Sequence, residues 1–124
     1  MSNTITTKAD FVEQFKNRTK KLALDTIRFS QSLPRTEEAN KMKRQLLRSA
    51  TSVEANYRAA CRARSAAEFY AKISIVIEEA DETLYWLELL EECGTSPKTS
   101  LASITKEATE IVSVLAKARK NTNR

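Results

Sequence analysis

Net charge reverses between two adjoining stretches of this chain. From Arg35 to Arg64 there are eight basic and three acidic residues, a net of +5; from Ser65 to Cys93 there is one basic residue, Lys72, and eight acidic ones, a net of −7. The connection between them is too short for anything but a turn. Such a pair reads as two antiparallel helices held partly by opposite charge. The reversal also leaves the excess positive charge of the protein, +5 overall, somewhere else, and its position bears on what the protein binds.

The remaining punctuation divides the chain into four helices. One Gly and two Pro in 124 residues, with abundant Ala, Leu, Lys, Arg and Glu, is a composition of long helices. Leu33-Pro34 ends a first helix, because Pro restricts the residue before it and cannot continue the ladder. Thr36 can cap a second helix whose first turn holds Glu37 and Glu38, which favour a helix N-terminus. Ser65-Ala66-Ala67-Glu68 has capping-box spacing for a third. Gly94 suits the position just past a helix end, and Pro97 the first position of a fourth. The expected helices cover about 8–33, 36–63, 65–93 and 97–120, in one domain spanning 1–124.

Apolar periodicity agrees. Val12, Phe15, Leu22, Phe29 and Leu33 share a face of helix one, with Thr19 and Thr26 between them. Phe69, Ile73, Val76, Ala80, Leu84 and Leu87 do so on helix three, and Leu101, Ile104, Ala108, Ile111, Leu115 and Ala118 on helix four. Four amphipathic helices with short connections predict an all-α, antiparallel up-down-up-down four-helix bundle. No run approaches the roughly 20 apolar residues of a membrane span, and the N-terminus has no signal-peptide core, so a cytoplasmic, non-membrane protein is expected. Cys61 would sit near the end of helix two and Cys93 at the end of helix three, so antiparallel helices of about 27 residues at ~1.5 Å rise hold the thiols roughly 40 Å apart. They should be reduced, packed thiols.

Helix two is rich in small residues between Arg48 and Ala60, and Gln45, Ser49, Ser52 and Asn56 share one of its faces. Mid-helix Ser and Thr are mediocre helix formers, so tertiary contact must support this segment. Helix three carries a facing polar stripe of Glu68, Lys72, Glu79 and Glu82. Folding the two helices back about residue 64 places Arg48 beside Glu79 and Glu82, and Asn56 beside Lys72. These five residues form an expected structural polar network that fixes register. The alternative is a metal-dependent site built from Glu78, Glu79, Asp81 and Glu82. The chain has no histidine, no Gly-rich phosphate loop and no recognisable nucleophile setting. We therefore expect no catalytic residues, no cofactor and no metal.

In the expected bundle, one end gathers Lys8, Lys16, Arg58, Arg62, Arg64, Lys117, Arg119, Lys120 and Arg124. At the other end Arg35, Lys41, Lys43 and Arg44 meet Glu88, Glu91 and Glu92. Cations at helix C-termini complement the helix dipole, which explains part of this asymmetry. Phosphate-backbone binding by Arg58, Arg62, Arg64, Lys117, Arg119 and Lys120 is the functional alternative, and it predicts strong salt dependence. The only aromatic residue expected among these cations is Tyr57, so recognition should run through backbone and shape.

The segments RSATSVEANYRAA and AEFYAKI, within QLLRSATSVEANYRAACRARSAAEFYAKISIVIEEADETLYWLELL, together with the upstream LALDTIRFSQSLP, resemble the four-helix-bundle proteins of the 23S rRNA intervening-sequence family. The resemblance runs from about Phe15 to Ala118. It implies a homopentamer, and a relationship to the accessory bundle of diversity-generating retroelements, which binds nucleic acid and a reverse transcriptase. It carries over no catalytic residues. The expectation is a non-enzymatic oligomeric protein that binds RNA or DNA, or a nucleic-acid-processing partner such as a reverse transcriptase, through its basic end. The alternatives are an interaction scaffold that binds no nucleic acid and, third, the metal-dependent enzyme.

Overall fold

The computed structural model describes residues 8–122, and in it four helices follow one another: α1 (Lys8–Ser30), α2 (Glu37–Cys61), α3 (Ala66–Glu92) and α4 (Lys98–Lys120). Local chemistry explains most of their ends. The N–H of Ala39 donates to Thr36 Oγ1 at 3.1 Å, capping α2 as expected. At α3 the Glu68 N–H donates to Ser65 Oγ at 3.0 Å. The Glu68 carboxylate, however, accepts from the backbone N–H of Arg64 at 2.6 Å, one residue earlier than the reciprocal bond of a standard capping box. Gly94 takes φ +79°, and the N–H groups of Gly94 and Thr95 donate to the carbonyls of Glu91 and Leu90. That is a Schellman motif, and only glycine adopts its left-handed residue without strain.

Three boundaries differ most from expectation, the first being the end of α2, at Cys61 rather than about residue 63. Helix α1 stops at Ser30, not residue 33, and the N–H groups of Gln31, Ser32 and Leu33 bond to carbonyls three residues back. The chain tightens there into three-residue turns, and Leu33, 7% exposed, reaches the core just before Pro34. Pro97 is the N-cap of α4 rather than its first helical residue, and provides no side-chain cap bond.

Consecutive helices pack on one another and α4 also contacts α1, while among the described residues the diagonal pairs do not approach as closely. Cross-helix partners run in opposite directions: Phe15 with Tyr57, Arg48 with Glu79 and Glu82, Ser74 with Arg119, and Arg18 with Glu107 and Glu110. The fold is an all-α four-helix bundle, and these pairings match up-down-up-down connectivity.

The core is layered from Leu22, Leu46, Val53, Ile73, Val76, Leu87, Leu90, Ile111 and Leu115. Periodicity identified the buried faces of α1 and α4. On α3 the buried line is Ile73, Val76, Ala80, Thr83, Leu87 and Leu90, while Phe69 and Leu84 lie only half-buried at its margin. Buried hydroxyls mostly bond within their own helix: Thr19 to the Lys16 carbonyl, Thr26 to that of Leu22, Ser49 to that of Leu46. Such bonds let a hydroxyl occupy an apolar layer without an unpaired donor. Thr83 Oγ1 lies 3.0 Å from Ser49 Oγ and so joins α3 to the small-residue stretch of α2. Among the described residues no helix is long and apolar enough to cross a membrane.

Candidate nucleic-acid interface

The ends of α2 and α4 and the start of α1 converge at one end of the bundle. Lys8, Arg64, Ala118 and Asn121 border the same hollow there, and Lys117 borders an adjoining one. Arg58, Arg62, Arg64, Lys117 and Lys120 are exposed, and Arg119 is half-buried. No carboxylate lies within ion-pair distance of Arg58, Arg62, Lys117 or Lys120 among the described residues. Arg64 has only Glu68, 3.9 Å from Nη2, and its side chain is 91% exposed. Arg119 differs from the rest. Its guanidinium lies over the Tyr70 ring, 5.9 Å from the centroid, and donates to Ser74 Oγ at 3.3 Å. It therefore joins α4 to α3 and is less available to a phosphate than its neighbours. The expected Arg124 lies outside the described residues.

This end is more aromatic than the sequence suggested. Besides Tyr57, which is buried, Phe11, Phe69 and Tyr70 lie here, brought in from α1 and the first turn of α3. Phe11 stacks on Phe15 with ring centroids 5.6 Å apart, and Phe15 meets Tyr57 at 5.1 Å. Phe11, Tyr57 and Phe69 line a half-open cavity of about 700 Å³ between the four helix ends. Burial and the adjacent Cys61 thiol hold the Tyr57 phenol well above its usual range, so it stays protonated. Cys61 is half-buried at the cavity wall; Cys93 is exposed, not packed as expected, because it caps α3 beside the Gly94 turn.

The polar network on the α2–α3 face is smaller than expected. Arg48 pairs with Glu82 through Nη2, and with Glu79 through Nη1, 3.3 Å from Oε1. Trp86 Nε1 donates to the same Glu82 oxygen at 3.3 Å. Asn56 and Lys72 are not part of this network: Asn56 Nδ2 donates to the Ser52 carbonyl one turn back, at 2.9 Å. The amide is short and the helix carbonyl nearer, so the local bond wins. Arg48 holds the Glu82 carboxyl below the usual carboxylate range, with Trp86 adding to the effect. A depressed carboxylate contributes stability above its unfolded value of about 4.3, and the contribution is lost as pH falls through the folded value. Glu82→Gln should therefore lose less melting temperature than the parent between about pH 5 and pH 3. The difference should be modest, since both partners are over a third exposed. Parallel acid limbs in a pH series of thermal melts would refute it.

Of the carboxylates that could have formed a cation site, Glu79 and Glu82 are thus engaged by Arg48, while Glu78 and Asp81 are exposed. Among the described residues no three His, Cys, Asp or Glu side chains gather as a metal-holding group. Sequence reasoning missed one clamp. Arg18 on α1 donates to Glu107 at 2.8 Å and Glu110 at 2.6 Å on α4. The three-residue spacing of those glutamates on one face was its available signal.

A family model described as 23S rRNA-intervening sequence protein matches residues 13–117. A solved structure of a protein of unknown function from the S23 ribosomal protein family of Bacteroides thetaiotaomicron VPI-5482 is similar, with 35% identity and a TM-score of 0.80. The similarity covers 86% of this chain and 98% of that one. No curated protein matches the chain.

Proposed function

This chain belongs to the 23S rRNA-intervening sequence protein family, and from that premise we propose that it is a non-catalytic, oligomeric bundle that binds nucleic-acid backbone through its basic end. The observation that carries this reading is the convergence of Arg58, Arg62, Lys117 and Lys120, exposed and without ion-pair partners among the described residues. Elsewhere the fold engages arginines it brings near carboxylates, as at Arg18 and Arg48. Arg64 extends the patch, and Arg119 supports it from below. Of the aromatic rings at this end Tyr57 is buried, Phe69 and Tyr70 are half-buried and Phe11 is 38% exposed, so binding depends mainly on phosphates and shape. Filter-binding titrations with structured RNA and duplex DNA at two salt concentrations test it. Binding at low salt that weakens steeply with added salt supports the reading. Absence of binding at low salt favours instead an interaction scaffold, whose partner is a protein.

Oligomerisation is supported by α3. Large apolar side chains outside a helix's core-facing stripe are normally covered by another surface. Here α3 buries one face in the bundle, yet Ile75 is 36% and Tyr85 51% exposed, and Ile77, Leu84, Trp86 and Leu89 are half-buried. We expect these to pack against a second copy of the chain, five copies being the number the family resemblance implies. Ile75→Glu combined with Tyr85→Glu should reduce the sedimentation mass to that of one chain of 14.0 kDa. An unchanged mass would place the interface elsewhere.

A further inference from the structure

We propose that the cavity at the basic end binds a small amphipathic anion, with an alkyl or aryl body and a single carboxylate or phosphate head. The cavity, about 700 Å³, is within the size range of small-molecule sites. Its wall is largely carbon, from Phe11, Val12, Phe69, Leu115 and alanines of three helices. The only charged side chains lining it, among the described residues, are Lys8 and Arg64, and both are cations. Arg64 is 91% exposed and held only loosely by Glu68, so its guanidinium is available to an anion at the mouth. The apolar walls and cationic rim together match a ligand charged at one end only.

A nucleotide fits the same walls poorly. The Ser65 hydroxyl caps Glu68, the Thr122 hydroxyl donates to the Ala118 carbonyl at 2.8 Å, and the buried Tyr57 phenol faces Cys61. The Asn121 amide and the Ser65 hydroxyl proton remain for the polar edge of a base, most of which would enter the cavity unpaired. The site is distinct from the phosphate-contacting surface. It is a half-open hollow between the helix ends rather than an outer face, and shares only Arg64 with that patch.

Calorimetric titration of the full chain with dodecanoate, dodecanol and uridine monophosphate tests the proposal. Dodecanoate should bind saturably, one per chain, and decanoate more weakly by on the order of tenfold, as loss of two buried methylenes requires. Arg64→Gln should weaken dodecanoate by about tenfold without affecting dodecanol. Val12→Trp, which fills the hollow from a half-buried position, should abolish binding while circular dichroism shows the helices intact. A second readout does not depend on that variant folding. In a Cys93→Ser background, dodecanoate should slow alkylation of Cys61, which lines the cavity. The proposal is overturned by no saturable dodecanoate binding, by unprotected Cys61, by equal affinity for dodecanol, or by tighter binding of uridine monophosphate.

Discussion

Changing Arg58, Arg62, Lys117 and Lys120 together to alanine should flatten the salt dependence of RNA binding. Each phosphate contact contributes roughly 0.7 to 0.9 to the slope of log affinity against log salt, so four lost contacts reduce the slope by about 3. Because the counterion-release contribution vanishes near molar salt, the same four contacts correspond to about two to three orders of magnitude in affinity at ~0.1 M. All four side chains are exposed and outside the core, so the fold should survive, as an unchanged melting temperature would verify. The control is the opposite end. Replacing Arg35, Lys41, Lys43 and Arg44 removes four positive charges where Glu88, Glu91 and Glu92 already reduce the local field. If both quadruple variants lose the same slope, net charge rather than the basic end governs binding, and the site assignment fails. Arg119 is left out because its place over Tyr70 and its bond to Ser74 would mix stability with binding.

The largest effect on stability should come from Leu87→Ala. Leu87 is fully buried in the core formed with residues of all four helices. Truncating it removes three carbons' worth of burial and leaves a cavity that rigid helices cannot close, a loss of about 2–5 kcal/mol. For a domain of this size that is a fall of roughly 10–20 °C in melting temperature. Leu24 on α1 is the comparison, being the same residue type but 43% exposed. Leu24→Ala should stay within about 0.5 kcal/mol. Similar losses at both positions, in chemical denaturation at fixed protein concentration, would mean that the face of α1 or α3 is assigned wrongly.

These two experiments probe features of unequal legibility. The core face of α1 was readable because Phe15, Leu22 and Phe29 recur at helical spacing with Thr19 and Thr26 between them, and all five are buried; Leu33, also buried, lies past the helix, and Val12 is only half-buried. The Arg48–Glu79–Glu82 pairing was readable because antiparallel helices joined by a short turn fix register once the turn is placed. Asn56 and Lys72 satisfied the same register and yet failed to pair. Register brings backbones opposite each other but does not decide between a distant partner and a carbonyl one turn away. Leu84 and Thr83 exchanged places for a similar reason. On a helix whose apolar residues extend onto both flanks of the buried line, spacing does not reveal which of them turns inward, and the small Thr83 packs against Ser49.

The helix-stopping Pro34 and Gly94, the capping residues and the spacing of apolar residues determined by themselves that this chain makes four helices, because caps, breakers and periodicity act over a few residues. Only the tertiary structure decided that Arg119 is drawn onto Tyr70 while Arg58, Arg62, Lys117 and Lys120 stay unpaired among the described residues. It alone brought Phe11, Tyr57, Phe69 and Leu115, from four different helices, around one cavity. Those outcomes depend on distances between residues far apart in the chain, which are set by how side chains fill the space between helices.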